Sequence, residues 1–319
     1  MLRVFSAEEI HARLDYGRLV GALREAFRAA DVTQPLRTSY DIGVSGTPAH
    51  LLSMPAWRTG DVIGVKLVTV FPGNAAKGMG AVSAVYVLFD GSTGVPIAIL
   101  DGEALTNRRT AAASALASDY LSRADAATLL MVGTGKLAPY LVEAHCAVRP
   151  ISRVLIWGRN PERAAALCER LRGNGPAVEA VSDLAAATPL ADIISCATTS
   201  TQPLLRGRDL REGTHIDLVG AFTPSMRETD AEAVRRASVF VDTYAGASAE
   251  AGDLLQAAAT GAWSSDKVRA DLHELAAGLK PGRSNAAEIT LFKSVGAAIE
   301  DLTAAKLMLG GAPDNTKSR

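Results

Sequence analysis

The sequence predicts an α/β fold in which a doubly wound parallel sheet is joined to an α+β region. Three observations carry that reading. From about 128 to 241 short apolar runs of strand type alternate with helical ones, the rhythm of parallel βαβ units. The first of those strands runs into Gly133-x-Gly135-x-x-Ala138, a glycine pattern that opens a helix beneath a bound pyrophosphate. The first third of the chain reads instead as two helices and a string of strands separated by turn residues.

In chain order, Ser6 and Glu9 form a capping-box pattern ahead of a short helix over 7–13. A second helix over 16–30 carries Leu19, Val20, Leu23 and Phe27 on one stripe. Strand-like segments follow at 38–44, 50–56, 62–70 and 81–90, parted by Gly46-Thr-Pro48, Arg58-Thr-Gly60 and Phe71-Pro-Gly-Asn74. The hairpin-type turn Asp90-Gly-Ser-Thr-Gly94 returns the chain as a strand over 95–100. Thr106 is the expected cap of an alanine-rich helix over 107–121. Strands are then expected at 129–132, 153–157, 177–181, 192–196, 215–219 and 238–241, with helices at 137–147, 161–172 and 229–236. A last helical run over 289–309 is expected to return to the first region, and the polar tail 310–319 to fray.

Composition narrows the function classes. A length of 319 residues suggests two domains with sizeable cores. A formal net charge of −1 gives no electrostatic footprint for nucleic acid or an anionic membrane. The three cysteines, Cys146, Cys168 and Cys196, are far apart and read as reduced core or helix residues. His11, His145, His215 and His273 show no ligand spacing and read as structural, so no metal is expected. The N-terminus lacks the apolar core of a secretory signal, and no apolar run reaches about 18 residues. A cytoplasmic, globular enzyme is expected.

The glycine loop gives the cofactor. Gly133 permits a tight turn, Gly135 lets a pyrophosphate approach the backbone, and Ala138 lets the helix pack on the strand. The N-terminal N–H groups and dipole of the helix that starts at Leu137 would meet the phosphates, with added contacts from Thr134 and Lys136. The second strand ends Trp157-Gly158-Arg159-Asn160, with Arg163 one turn into the next helix, where an NAD site usually has an acid on the ribose. An arginine there pairs with a 2′-phosphate, which favours NADPH and leaves NADH as the second choice; the alternative is that Arg159 is a solvated loop residue. Thr198 and Thr199, after the fourth strand, are placed for ribose or nicotinamide contacts, and Val219, Gly220 and Ala221 border the nicotinamide.

Gly64-Val-Lys66, Phe71-Pro-Gly-Asn74, Thr106-Asn-Arg-Arg109-Thr-Ala-Ala, the Gly133 loop and Leu291-Phe-Lys-Ser-Val-Gly296-Ala-Ala-Ile-Glu300-Asp-Leu together resemble the ornithine cyclodeaminase/mu-crystallin family. The resemblance spans about Arg37 to Ala305, with the motifs in the family's order. It implies a Rossmann dinucleotide-binding domain (123–291) inserted in an α+β substrate-binding and dimerisation domain (1–122 plus 292–319), a homodimer, and a site in the cleft between the domains. Activities implied by the family include cyclodeamination of ornithine, oxidative deamination of amino acids and reduction of cyclic ketimines, so the fold leaves the reaction open.

The resemblance also implies that Arg37, Lys66 and Arg109 hold a substrate carboxylate, and that Ser294-Val295-Gly296 closes over the nicotinamide. The residues support part of this independently. Lys66 interrupts an apolar strand, where a lysine is rare unless paired or functional, and Arg109 is expected in the first turn of a capped helix. A structural salt bridge is the alternative for each. Arg108 is given no role, Asp217 reads as a packing or capping residue, and Glu300 and Asp301 as helix-facing or interdomain charges.

Two departures from the family point to the reaction. Cyclodeaminases carry a glutamate three residues before the proline of their Met-Pro pair, where this chain has Leu52, and an aspartate where it has Phe222. A phenyl ring neither accepts a proton nor pairs with an ammonium, so direct deamination of ornithine or alanine is disfavoured. The run Gly220-Ala-Phe-Thr-Pro-Ser-Met-Arg227 looks like that of ketimine reductases in the family. The expected substrate is a cyclic imino acid: Δ1-pyrroline-2-carboxylate reduced to L-proline, or Δ1-piperideine-2-carboxylate to L-pipecolate. Lys66 or His50 is the candidate proton donor, His50 sharing strand parity with Leu52. The alternatives are an ornithine cyclodeaminase and a mu-crystallin-like NADPH and small-ligand binder.

Overall fold

The computed structural model describes residues 1–43, 47–173 and 175–310. It divides into two units, Met1–Thr110 with Ala297–Arg319, and Ala111–Gly296.

The first unit is built on a mixed six-stranded sheet. Its strands are β1 (Arg3–Phe5), β2 (Thr38–Asp41), β3 (His50–Arg58), β4 (Val62–Val70), β5 (Val82–Asp90) and β6 (Pro96–Asp101), in the order β1-β6-β5-β4-β3-β2. Only β1 runs parallel to its neighbour; the rest is an antiparallel meander. The Asp90 carboxylate makes the β5–β6 turn by accepting from the N–H groups of Ser92 (3.0 Å) and Thr93 (2.8 Å), with Gly94 at φ +70°. Val44 and Gly46, the end of the expected strand and the start of its turn, lie outside the described residues, as does the tail 311–319.

Register decides which side chains share a face. Met54 stands opposite Lys66, Lys66 opposite Tyr86, and Tyr86 opposite Leu100, so these four point to one side of the sheet. The helix Ala298–Gly310 covers that side. Space is so tight at Gly64 that a Cβ there would lie 2.0 Å from Tyr86 Oη of β5 and 2.8 Å from Leu302 Cδ1 of the helix. Gly64→Ala is therefore expected to destabilise the fold by about 1–3 kcal/mol through overpacking, read as a lower urea midpoint at unchanged slope. An unchanged midpoint would mean that Tyr86 and the helix are free to move aside.

The second unit holds an all-parallel eight-stranded sheet. Its strands are β7 (Thr128–Val132), β8 (Arg153–Trp157), β9 (Ala177–Ala180), β10 (Ile193–Cys196), β11 (His215–Leu218), β12 (Ser238–Val241), β13 (Val268–Asp271) and β14 (Thr290–Lys293), in the order β13-β12-β14-β11-β10-β7-β8-β9. The α/β class with a Rossmann-like sheet is thus present as the alternation of strands and helices implied. The chain walks outward from β7 to β9, then returns to lay β10 on the other side of β7. That reversal is the point where such sheets open a ligand crevice at their strand ends.

Two expected elements differ. The run 289–309 is not one helix: Thr290–Lys293 is a fully buried strand between β11 and β12, and the helix begins only at Ala298, past Gly296 at φ +87°. A short continuous apolar run fits a buried strand as well as a buried helix, so periodicity could not separate them. The long helix spans Gly102–Leu121, and Asp101 rather than Thr106 serves its first turn, accepting from Ala104 N at 2.8 Å.

Beneath the sheet, Asp217 accepts from Ser195 Oγ (2.7 Å) and Ser114 Oγ (2.9 Å), and His145 bridges it (3.2 Å) to Ser118 (3.0 Å). All of these side chains are buried, so the serine–histidine–aspartate grouping is a packing network closed to substrate.

Candidate active site

A cleft of about 280 Å³ lies at the ends of β7, β8 and β10. Gly133 turns the chain out of β7 at φ +121°, donating its N–H to Trp157 O at 2.9 Å, and a Cβ on it would fall 2.6 Å from Ala197 O. At Gly135 a Cβ would meet no protein atom within 4 Å, so the backbone there borders open space. The helix Ala138–Val148 that follows has no side-chain cap and carries a proline in its first turn. Its N-terminal N–H groups and dipole suit a phosphate. Together the cradle fits the pyrophosphate of a dinucleotide.

Gly133, Thr134, Gly135, Arg159, Asn160, Arg163, Thr198 and Thr199 line this cleft. The structure adds Trp157, Gly158, Ala197, Ser200 and Leu204 to the sequence reading. Gly158 must be small, because a Cβ there would lie 2.7 Å from Thr134 Cγ2. No aspartate or glutamate is among the lining residues, and Arg159 and Arg163 are both exposed at its edge. Asn160 spends its side chain on the helix Pro161–Leu171, accepting from Arg163 N at 3.1 Å.

The remaining expected cofactor residues do not line it. Lys136 is exposed and Leu137 half-buried at the start of the helix. Val219 and Ala221 are buried after β11, with Gly220 between them. Ser294 is buried after β14, its hydroxyl donating to Asp242 Oδ2 at 3.2 Å; the same oxygen takes the N–H groups of Val295 and Gly296, each at 2.7 Å.

Sequence reasoning also missed a buried acid beside this cleft. Glu228 Oε1 accepts from Thr198 N (2.6 Å) and Thr198 Oγ1 (2.8 Å), and its Oε2 from Gly220 N (2.8 Å). Burial pushes its carboxyl up to about 7, against the pull of Lys293. Its own N–H and that of Thr229 donate to Asp253 Oδ1, and Lys293 stands 3.1 Å from Asp253 Oδ2.

The second chemical feature belongs to the first unit. Lys66 donates to both carboxylate oxygens of Asp301, at 2.8 and 2.9 Å, and lies 3.4 Å from Thr106 Oγ1. Arg109 Nε donates to Asp301 Oδ1 at 3.0 Å and its Nη1 to Glu300 Oε2 at 2.6 Å. All four charged side chains are buried. Glu300 and Asp301 are therefore the direct partners of the two cations, and not the helix-facing or interdomain charges read from sequence. Nor is Arg109 in a first helical turn: it lies well inside Gly102–Leu121, where backbone N–H groups are engaged by the helix.

Burial lowers the Lys66 ammonium to about 8, helped by the charges of Arg109 and Arg37 and opposed by Asp301. Burial works against charge on Asp301 too, but Arg109 and Lys66 outweigh it and hold its carboxyl below the usual range. Arg37, half-buried, is thus electrostatically part of the cluster. Near Asp301 and Arg109 the Tyr86 hydroxyl is buried with no hydrogen-bond partner among the described residues.

His50 is not brought to this cluster. It faces the same side of the sheet but pairs with Val70, four residues along β4 from Lys66, about 13 Å at ~3.3 Å per residue. Leu52, opposite Val68, lies between them and is half-buried. In the second unit Phe222 sits in the loop after β11 and is 44% exposed.

Comparison with known proteins places the chain. The model of the ornithine cyclodeaminase/mu-crystallin family matches residues 2–314. A Δ1-pyrroline-2-carboxylate reductase of Colwellia psychrerythraea is 38% identical over 309 residues, 95% of this chain and 97% of that protein. The structure of the Thermococcus litoralis Δ1-pyrroline-2-carboxylate reductase with NADH and L-proline superposes with a TM-score of 0.91 at 34% identity, covering 97% of this chain and 96% of that one. An archaeal alanine dehydrogenase dimer with bound NAD gives 0.89 at 29% identity, covering 97% and 95%. The chain belongs to the ornithine cyclodeaminase/mu-crystallin family, as one of its NAD(P)-dependent oxidoreductases.

Proposed function

We propose that the protein reduces Δ1-pyrroline-2-carboxylate to L-proline with NADPH, takes Δ1-piperideine-2-carboxylate as its six-membered analogue, and works as a homodimer. The observation that carries this is a cluster of cations in the first unit. Lys66 and Arg109, both buried, are bonded to Asp301 and Glu300, and the charge of Arg37 acts on Lys66 from close by. Cations gathered in a largely buried setting suit a substrate carboxylate. Both positions where cyclodeaminases of the family carry an acid, Leu52 and Phe222, are apolar here, which suits a flat ring and offers nothing to an ammonium.

The reading assigns the carboxylate to the first unit's cations and the cofactor to the second unit's cleft. When bound, the nicotinamide supplies the hydride that a C=N carbon accepts. Arg109 and Arg37 hold the carboxylate and fix the ring's orientation. Lys66, an ammonium below about pH 8, supplies a proton to the imine nitrogen, and Asp301 aims it. Arg159 and Arg163, with no acid near them in the cleft lining, favour the 2′-phosphate of NADPH over NADH. The Colwellia and Thermococcus relatives are named for this reduction, and the alanine dehydrogenase relative is a dimer.

Phe222→Asp tests the pocket. Phe222 is exposed, so the substitution is expected to leave the circular dichroism spectrum and cofactor binding intact while lowering kcat/KM for Δ1-pyrroline-2-carboxylate by about 10–200-fold. Unchanged imine reduction would remove Phe222 from the substrate pocket.

A further inference from the structure

We propose that Glu228 is a positioning residue for the cofactor: its ionised carboxylate ties the Thr198 turn, which lines the dinucleotide cleft, to the Gly220 turn that follows β11. The inference rests on the cofactor assignment above and adds a residue that the sequence did not point to.

The geometry asks for a carboxylate. Both oxygens act as acceptors, Oε1 for the N–H and hydroxyl of Thr198 and Oε2 for Gly220 N. A carboxylate meets all three donors, whereas an amide must turn its NH₂ toward one of the two N–H groups and a carboxylic acid accepts more weakly through its hydroxyl oxygen. One side of the tie then opens. The turns have little slack, since a Cβ on Gly220 would fall 2.1 Å from Thr198 O and 2.3 Å from Thr198 N. The Glu228 backbone is held in place, because its carbonyl accepts from Leu204 N (2.8 Å) and Leu205 N (3.0 Å) and its N–H donates to Asp253.

The titratable groups that face Glu228 are Lys293 from β14, Asp253 from the helix Gly252–Ala259 and the Cys196 thiol from β10, which burial keeps protonated. Lys293 favours the carboxylate, while Asp253 and, above all, burial disfavour it, which brings its titration to about pH 7. Cofactor affinity therefore weakens as pH falls through that value. Fold stability runs the other way. The folded pKa is raised above its ordinary 4.5, so between roughly 4.5 and 7 the native state binds more protons than the unfolded one, and this group's contribution to stability falls as pH rises. A residue that only held the fold together would not give opposite trends.

The test is the Kd for NADH, read by nicotinamide fluorescence on the intact protein at about pH 6 and about pH 8. NADH is the probe because it lacks the 2′-phosphate, which itself titrates near 6. Wild type is expected to bind about tenfold more weakly at the lower pH, the loss set by the ionised fraction. Glu228→Gln is expected to bind weakly at both, with KM for NADH raised about tenfold and kcat at saturating NADH within about twofold. Thr198→Val, which removes the hydroxyl donor, moves the midpoint of the profile upward and serves if the glutamine variant does not fold. A flat wild-type profile, or wild-type affinity in Glu228→Gln, overturns the proposal. Absence of NADH and NADPH binding to wild type at every pH overturns the cofactor assignment itself.

Discussion

Asp301→Asn is expected to cost about 3–5 kcal/mol of folding stability, the range for breaking a buried ion pair from one side. Asp301 is fully buried and is the shared acceptor of Lys66 and Arg109, so its neutral amide deprives Lys66 of the carboxylate it donates to and leaves Arg109 its bond to Glu300. The amide would also turn a donor toward Lys66 or Arg109, neither of which accepts. Urea unfolding followed by circular dichroism measures the loss. A change below about 1 kcal/mol would mean that Asp301 is protonated, or solvated, in the native protein.

Lys66→Met should lower kcat/KM for imine reduction by about 10²–10⁴-fold, the range for losing a positioned proton donor. Methionine keeps the length and apolar stem of the side chain, and the strand partners Met54 and Tyr86 are themselves large and buried, so the site is expected to remain packed. The wild-type pH profile gives an independent check. With Lys66 lowered to about 8, its ammonium is lost as pH rises through that value, and activity should fall on the alkaline side. The methionine variant has no such limb. Residual activity within about fivefold of wild type, with the limb intact, would assign the proton to another group.

Features fixed by local backbone chemistry are legible in the sequence. Gly133 is readable because the turn out of β7 needs φ +121° and leaves no room for a side chain against Ala197. Arg159 and Arg163 are readable because the strand–turn–helix frame fixes where β8 must end. Lys66 declares itself by interrupting an apolar strand.

What stayed hidden depended on tertiary placement. Asp301 is 235 residues from Lys66, and no spacing rule connects them. β14 escaped because Thr290–Lys293 reads equally well as helix until the sheet positions it between β11 and β12. The helix start at Gly102 was overlooked because Thr106 is also a good capping residue, and only the hydrogen bond from Ala104 to Asp101 decides between them. Glu228 follows Arg227 in a stretch that reads as polar loop, and its full burial comes from packing against Asp253 and Lys293.

One assay addresses the reaction most directly. The wild-type protein is given Δ1-pyrroline-2-carboxylate with NADPH and, in parallel, L-ornithine with NAD. Oxidation of NADPH with formation of L-proline in the first reaction, and no ammonia in the second, is the predicted result. Ammonia and proline from ornithine, with no net change in cofactor redox state, would mean that other groups do the work of the acids missing at Leu52 and Phe222, and would contradict the account.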